Sequence, residues 1–354
     1  MEHPHPQPLS LKYGEGRIRL EKPVPFSLLK GEGLGMRVAL TMLLLTALHQ
    51  TTPCFAISNN AGTTNGNFLK IATDARGVAL GDSAVSMARG ADALRWNPAA
   101  LGLLDEKEVA TTHIQYYQDV HIENVAGVFP IQEGGIGASA FYLSPGSLDG
   151  RDLNGNPTGD FKFYDMVGTV GFGRKVLTRA EGANVSVGAD LKIVQEAIAD
   201  QSFQNPAFDV GALVSPFDDL NIGINIRDLA SGKADFTREM IGGASYTMYR
   251  VFTGAFAIDY ANDAPIRYTV GGEYKIPEFD SAIRAGYTNH DSLDNSIDSK
   301  IPALRSASLA GLTMGAGMGY KPPFFPTLRL DLDYAMAPFG ALGISHTLTI
   351  KFRW

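Results

Sequence analysis

Few residues of this chain have types and spacing that could support chemistry. One loop carries five acidic or amide side chains in a D-x-N-x-N pattern, which is typical of a calcium-binding loop. Pro157 lies where the turn of such a loop needs glycine, and the twelfth position is Phe163 rather than glutamate. We therefore interpret the segment as an exposed polar turn. Its five side chains are Asp149, Asp152, Asn154, Asn156 and Asp160.

The cysteine and histidines form no catalytic or metal-binding pattern. Cys54 is the single cysteine, which excludes a disulfide or a thiolate metal site within the chain. The seven histidines lack metal-ligand spacing, and no nucleophile elbow accompanies them. We expect no enzyme activity and no cofactor. The net charge of −7 and the absence of a basic patch with interleaved aromatics argue against nucleic-acid binding.

Two segments near the C-terminus alternate between polar and apolar residues. LRLDLDY (328–334) and HTLTIKFRW (346–354) have the period of two that is typical of a β-strand. Their charged side chains could line a permeation path. We favour an ion-pair network in a lumen, which holds the last two strands against an internal plug. The charged residues are Arg329, Asp331, Asp333, Lys351 and Arg353.

The other face of the last segment is apolar to the final residue. A soluble protein usually ends in polar, mobile residues. A strand that closes a membrane barrel can instead end on an aromatic side chain, and we expect the barrel-assembly machinery to recognise this strand as an insertion signal. The apolar residues are Leu348, Ile350, Phe352 and Trp354.

Fourteen strand segments follow residue 108, and most have seven to thirteen residues. Roughly nine to eleven tilted residues cross a bilayer, and a sheet in lipid must close on itself. Short links alternate with long ones, as in outer-membrane barrels. A sandwich rarely needs so many strands, and the repeat of a propeller is absent. We predict an all-β fold, a 14-stranded antiparallel transmembrane β-barrel over 109–354. The segments lie near 109–117, 122–131, 135–143, 163–174, 184–196, 206–215, 220–227, 238–248, 251–260, 266–276, 281–289, 307–320, 327–336 and 344–354.

The residues before the barrel divide into three predicted regions. Residues 36–56 contain the apolar run VALTMLLLTAL and a small-residue site that ends at Ala56, which is typical of a cleaved signal peptide. Residues 1–35 precede this signal and repeat a PxPxSLxxGEG-like pattern. We interpret them as an upstream extension that is either untranslated or disordered. Residues 57–108 are rich in Ala and Gly and indicate short helical turns, which we assign to a plug or hatch.

One motif in the predicted plug has a recognisable local geometry. An Asn, a Pro and a closing Gly102 are typical of a short helix with an N-cap, a first-turn proline and a C-terminal glycine. The motif could gate a lumen, but a helix cap within a packed plug is the interpretation we favour. Its residues are Trp96, Asn97, Pro98 and Ala99.

Two stretches of the chain resemble the PorV/PorQ family of outer-membrane barrels, which are relatives of the FadL-type fatty-acid channels. The first covers 68–102, and the second, 331–354, is similar to the family's closing hairpin. Together they bracket the chain from about residue 61. The matching positions are Phe68-Leu69-Lys70-Ile71, Ala75-Arg76, Gly81, Ala91-Asp92-Ala93-Leu94, Trp96-Asn97-Pro98-Ala99, Tyr334, Pro338-Phe339-Gly340 and His346.

The resemblance implies a fourteen-stranded barrel with an N-terminal plug, in contact with the lipid of a Gram-negative type outer membrane. One branch of the family serves type IX secretion as an accessory that receives exported cargo proteins. FadL-type relatives instead pass hydrophobic molecules through the barrel wall. We expect a non-enzymatic accessory that docks cargo or secretion-system proteins. The alternative is a channel for hydrophobic small molecules such as long-chain fatty acids.

Deletion of Phe352, Arg353 and Trp354 should abolish insertion into the outer membrane, because the closing strand loses its apolar end. Membrane fractionation and protease accessibility on intact cells measure the insertion. Thr347→Ser, on the polar face of the same strand, should insert normally. Normal assembly of the truncated chain would count strongly against a barrel.

Overall fold

The computed structural model describes six ranges of the chain: 64–178, 184–199, 201–230, 236–289, 311–339 and 342–354. The predicted extension 1–35 and signal peptide 36–56 lie outside them. So do residues 57–63 of the predicted plug and Gly340 of the closing turn. In the described ranges, no helix is both long enough and apolar enough to cross a bilayer.

Fourteen antiparallel strands close into a barrel, which confirms the predicted fold class. The first wall strand pairs with the second and also with the last, so every wall strand has two neighbours. The wall strands are β1 (Glu108–Gln115), β2 (His121–Ile131), β3 (Gly134–Ser144), β5 (Pro157–Thr178), β6 (Asn184–Ile198), β7 (Gln201–Phe217), β8 (Leu220–Ala230), β9 (Glu239–Met248), β10 (Phe252–Ala261), β11 (Arg267–Ile276), β12 (Ser281–Thr288), β13 (Leu312–Tyr320), β14 (Arg329–Pro338) and β15 (Ile344–Arg353).

A fifteenth strand, β4 (Ser147–Arg151), lies outside the wall and is not indicated by the sequence pattern. It pairs only with the first residues of β5, as a hairpin. Strand β5 has 22 residues, and crossing a bilayer takes roughly nine to eleven. The predicted segment 163–174 is therefore only the wall portion of this strand. The hairpin escapes prediction because most of its residues are exposed, so they lack the alternation of a half-buried strand.

The two ends of the barrel can be told apart, and the height of the wall varies around its circumference. At the terminal end, where β1 begins and β15 finishes, Lys107 and Trp354 exchange two backbone hydrogen bonds of 3.1 Å. The opposite end, here the loop end, carries the β4–β5 hairpin. Strand β1 has only 8 residues, so the wall is low at β1 and tall at β5, β6 and β7.

The wall is apolar outside and polar inside. In β8, the outward side chains of Ile222, Ile224 and Ile226 are exposed, whereas the inward side chains of Asn225 and Arg227 are fully buried. A soluble barrel or sandwich has the reverse arrangement, with its apolar side chains in the core. An apolar outer surface around a polar interior fits acyl chains outside the wall.

The plug, residues 64–107, lies inside the wall and is built from very short helices. One of them, α1, contacts β12 to β15, while the 3₁₀ turn at 84–86 contacts β8, β9 and β10, and the one at 98–103 contacts β3, β5, β6 and β7. The plug therefore touches strands around the whole circumference. The helical elements of the described chain are α1 (Ala75–Ala79), α2 (Ala93–Trp96) and the 3₁₀ turns Asn67–Lys70, Ala84–Ser86, Gly90–Asp92, Pro98–Leu103, Tyr117–Asp119 and Pro277–Phe279.

Glycines in the wall let the plug backbone pack directly on the strand backbone. A Cβ atom at Gly188 would lie 2.3 Å from the carbonyl carbon of Pro98. A Cβ atom at Gly286 would lie 2.2 Å from the amide nitrogen of Gly81. Such close approach explains glycine in the middle of these strands, where it otherwise weakens pairing.

Gly188→Ala should lower the free energy of unfolding by about 1–3 kcal/mol, because the new methyl group overlaps the plug backbone. Tryptophan fluorescence during urea unfolding in detergent measures the change. Gly168→Ala is the matched control, since a Cβ atom there meets nothing within 4 Å. Equal stability of the two variants would contradict close plug–wall packing.

Candidate functional site

The plug motif is placed at a junction between the plug and two wall strands. The side-chain oxygen of Asn97 accepts a hydrogen bond from the amide of Ala99 at 3.1 Å and so caps the 3₁₀ turn at 98–103. Its side-chain nitrogen donates to the carbonyl groups of Val85, Ala212 and Ile224 at 3.1–3.3 Å. Asparagine suits this position because it offers an acceptor and two donors on one short side chain.

Trp96 is fixed by a buried carboxylate at the start of α1. Its indole nitrogen donates to Asp74 at 2.5 Å, and the other oxygen of Asp74 accepts from the amide of Gly77 at 2.6 Å. The guanidinium group of Arg95 lies 5.0 Å from the Trp96 ring centroid. These contacts give Trp96 and Asn97 a role in the architecture of the plug. Pro98 and Ala99 are also buried, and Pro98 lies against Gly188.

The five charged residues predicted to form a lumenal network lie on the inward face of β14 and β15. Among them, Lys351 contacts the plug directly, through an ion pair of 2.6 Å with Asp92. Arg329 binds Asp331 at 2.9 Å, within β14. Asp333 binds Arg284 of β12 at 2.6 Å. The wall–wall contacts therefore outnumber the plug contacts in this group.

Arg353 links the two ends of the closed sheet. It contacts Asp331 of β14 and lies 3.4 Å from Glu108, the first residue of β1. Glu108 in turn accepts a hydrogen bond of 2.8 Å from the backbone amide of Ala91 in the plug. The network therefore joins the first strand, the last strand and the plug at the terminal end.

Further plug–wall ion pairs join two positions of the family resemblance, Lys70 and Arg76, to wall-side carboxylates that the sequence does not single out. Arg76 in α1 binds Glu273 of β11 at 2.9 Å, and Lys70 binds Asp263 at 2.8 Å. Glu273 also binds Arg284 at 2.8 Å. In the sequence, the position of Glu273 on the polar face of a predicted strand is the one feature that indicates that it faces the lumen.

A second buried cluster lies in the wall between β6 and β9. Lys192 binds Asp209 at 2.8 Å and Asp228 at 2.7 Å, and Arg227 contacts Glu239. All five side chains are buried. Removing one partner of such a buried ion pair destabilises a protein strongly, because it leaves the other charge buried without a partner.

The acidic loop 149–160 forms the β4–β5 hairpin and its turn. One oxygen of Asp152 accepts hydrogen bonds from the amides of Asn154 and Asn156 at 2.8 and 2.9 Å. The bond from the Asn156 side chain, together with these amides, lowers the pKa of Asp152. The carboxylate is thus occupied by its own turn. Among the residues that the structure describes, no group of three His, Cys, Asp or Glu is placed to hold a metal ion.

Two cavities adjoin the plug in the described part of the chain. The larger, about 900 Å³, lies at the terminal end, and charged side chains of the plug and of the wall line it. The smaller, about 50 Å³, lies between the plug and the wall strands β2, β3, β5 and β6. Its lining is mainly apolar, with Phe68, Leu94 and Phe141, and includes the cations Arg95 and Lys192.

This chain resembles known proteins more in fold than in sequence. The model of an uncharacterised protein family, UPF0164, matches residues 52–213, which is less than half of the chain. No curated protein sequence matches this chain.

Solved outer-membrane channels share its architecture at low sequence identity. The toluene transporter TbuX of Ralstonia pickettii has 12% identity and a TM-score of 0.50, over 79% of this chain and 97% of TbuX. A Pseudomonas aeruginosa FadL homologue has 14% identity and a TM-score of 0.47, over 80% of this chain and 98% of the homologue. The likeness to TbuX is one of fold alone.

Burial, and then the nearby charge of Asp92, raise the pKa of Asp74 to about 7. Below about pH 4, the ordinary range of a carboxyl group, Asp74 is protonated in the folded and unfolded states alike. As the pH rises toward 7, the unfolded state releases this proton more readily, so the contribution of Asp74 to stability is lost.

Asp74→Asn should therefore reduce the loss of unfolding free energy between pH 4.5 and pH 7.5, whatever its effect at a single pH. Urea unfolding at both pH values measures the difference. Asp152→Asn is the control, because the pKa of Asp152 is shifted in the opposite direction. An unchanged pH dependence in Asp74→Asn would contradict a buried, protonated Asp74.

Proposed function

We propose that this chain is a non-enzymatic outer-membrane barrel of PorV/PorQ type that docks exported proteins as an accessory of a type IX-like secretion system. In this proposal, residues 36–56 are a cleaved signal peptide, 57–108 the plug and 109–354 the barrel. The terminal end faces the periplasm and the loop end faces the exterior. Assembly proceeds through recognition of the closing strand by the barrel-assembly machinery.

The observation that supports docking over transport is the occupation of the lumen. A binding site for a hydrophobic ligand is usually an apolar pocket of roughly 300–1,000 Å³. The mainly apolar cavity beside the plug has about 50 Å³, and the large cavity is lined by charged side chains. Buried ion pairs such as Lys351–Asp92 also hold the plug in place.

The loop end supports docking because β5, β6 and β7 continue past the low rim of the wall. Residues 157–162 of β5 pair with β4, and β7 residues 201–206 have no partner in β8. Leu153 at the hairpin turn and Phe203 in β7 are exposed. Apolar side chains on a polar surface, beside strand edges with free backbone groups, are typical of protein contacts.

A second candidate function is uptake of hydrophobic small molecules, and the small cavity favours it. Its apolar lining with two cations would suit a molecule that has an apolar chain and a carboxylate. Lys192 is already paired with Asp209 and Asp228, and Arg95 donates to two backbone carbonyl groups. Transport would therefore require both displacement of the plug and new partners for these cations.

A photo-crosslinking amino acid at position 153 or 203 should capture exported proteins in cells, because both positions lie on the projecting sheet. Mass spectrometry identifies the captured proteins by their export signals. The same amino acid at Phe279, an exposed position at the terminal end, is the matched control. Equal capture from all three positions, or none from 153 and 203, would contradict docking at the loop end.

The second candidate predicts that cells accumulate radiolabelled oleate through the barrel. Phe141→Trp should then reduce accumulation, because the larger ring fills the small cavity. The docking proposal predicts no accumulation above that of cells without the barrel. Barrel-dependent accumulation that Phe141→Trp abolishes would replace docking by transport.

A further inference from the structure

The apolar outer face of the wall is interrupted at the seam where the first strand meets its neighbours. On β10, the outward side chains from Phe252 to Tyr260 are apolar or aromatic. On β1, by contrast, three of the four outward residues are polar: Thr111, His113 and Gln115. The outer face of β1 is therefore a poor match for acyl chains.

The polar positions of β1 continue onto the strands on both sides. His113 pairs in register with Glu123 of β2. Gln115 pairs with His121 of β2 and with His346 of β15. All five side chains are exposed on the outer face. We name these five residues the seam patch.

Contacts inside the seam patch satisfy its hydrogen-bonding groups only in part. Nδ1 of His113 lies 2.6 Å from the carboxylate of Glu123, and the His113 ring stacks on that of His121 with 6.0 Å between the centroids. Among the residues that the structure describes, the side chains of Gln115 and His121 have no hydrogen-bond partner. The patch therefore keeps donors and acceptors for a further partner.

The length of β1 places the seam patch at the depth of the acyl chains. The strand has 8 residues. At a rise of about 3.3 Å per residue and a tilt of about 40°, it spans roughly 20 Å along the membrane normal, less than the apolar band of roughly 25 Å. Aromatic girdles flank that band, and Trp354 at the terminal end marks one border. His113 and Gln115 thus lie within the band, where polar groups lack water and need polar partners.

We infer that the seam patch is the contact between two copies of this chain that lie side by side in the outer membrane. A partner that covers the patch must itself lie in the bilayer and present polar groups at the same depth. A second copy, related by a two-fold axis along the membrane normal, does so by symmetry. Polar side chains of membrane proteins can form hydrogen bonds across such an interface.

The seam patch is also complementary to itself. It carries one carboxylate, one amide and three imidazoles, so it offers both acceptors and donors. Gln115 lies on the central strand and can both donate to and accept from Gln115 of the second copy. The two-fold axis turns the β2 side of one copy, with Glu123, toward the β15 side of the other. On that side, Nδ1 of His346 is bonded to Tyr334 at 2.6 Å, which leaves Nε2 for the second copy.

This inference goes beyond the proposed docking function and does not depend on it. The seam patch lies on the outer face of β1, β2 and β15, whereas the projecting sheet is formed by β4 to β7. A paired barrel could dock exported proteins or pass small molecules equally well.

Cysteine crosslinking in intact outer membranes tests the contact. Under oxidation by copper phenanthroline, Gln115→Cys should give a disulfide-linked dimer, and mass spectrometry should identify both halves as this chain. Ile224→Cys is the matched control, because it lies on the outward face of β8, across the barrel from β1, and should stay monomeric. The wild type, whose single cysteine is Cys54, gives the background.

Removal of the polar groups tests whether the seam patch itself makes the contact. In the Gln115→Cys chain, the added changes His113→Leu, His121→Leu and Glu123→Leu should lower the yield of dimer about tenfold or more. Insertion, measured by membrane fractionation, should be unimpaired, because leucine suits a lipid-facing position. Failure of this variant to insert would contradict a lipid-facing patch, and an unchanged yield of dimer would contradict its role in the contact.

The crosslinked species also identify the occupant. Equal yields of dimer from Gln115→Cys and Ile224→Cys would indicate random collision and overturn the inference. Crosslinking of Gln115→Cys to a different protein would show that another membrane protein covers the patch. Absence of any crosslink would show that lipid headgroups reach the patch in a locally thinned bilayer. Either result would overturn the second copy as the partner.

Discussion

Buried charge between the plug and the wall is the constraint on which this structure depends. A wall strand in lipid must turn its apolar side chains outward, so polar and charged side chains are left facing the lumen. Those charges need partners, because an unpaired ion in a dry interior is costly. The plug supplies part of them: Asp92 for Lys351, and Arg76 for Glu273. The barrel and the plug therefore each supply charged partners for buried charges of the other.

The same arrangement limits what the protein can do. Ion pairs such as Lys351–Asp92 and direct backbone packing, as at Gly188 against Pro98, hold the plug inside the lumen. The surfaces that remain for binding from solution lie at the two ends of the barrel. The loop end offers a projecting sheet with exposed Leu153, and the terminal end offers a large charged cavity. This division is the reason for proposing docking rather than conduction, although the fold is similar to that of the toluene transporter TbuX.

The sequence predicts the wall well because lipid imposes a strict period of two, as in Ile222, Ile224 and Ile226. It fails at β4 and at the start of β5, where most residues are exposed and lipid imposes no period. The polar residues of β14 and β15 could be assigned to the lumen from their alternation alone. Their partners could not, since the pairing of Lys351 with Asp92 depends on how the plug is oriented. The pairing of Glu273 with Arg76 and Arg284 likewise exists only after folding.

A double-mutant cycle between Asp92 and Lys351 tests the central claim most directly. Unfolding free energies are measured in detergent for the wild type, Asp92→Asn, Lys351→Met and the double variant. Each single change should cost about 3–5 kcal/mol, because it leaves the other charge buried without its partner. The double variant should lose clearly less than the sum of the two single losses. Additive losses, or single variants as stable as the wild type, would contradict the dependence of the plugged barrel on paired buried charge.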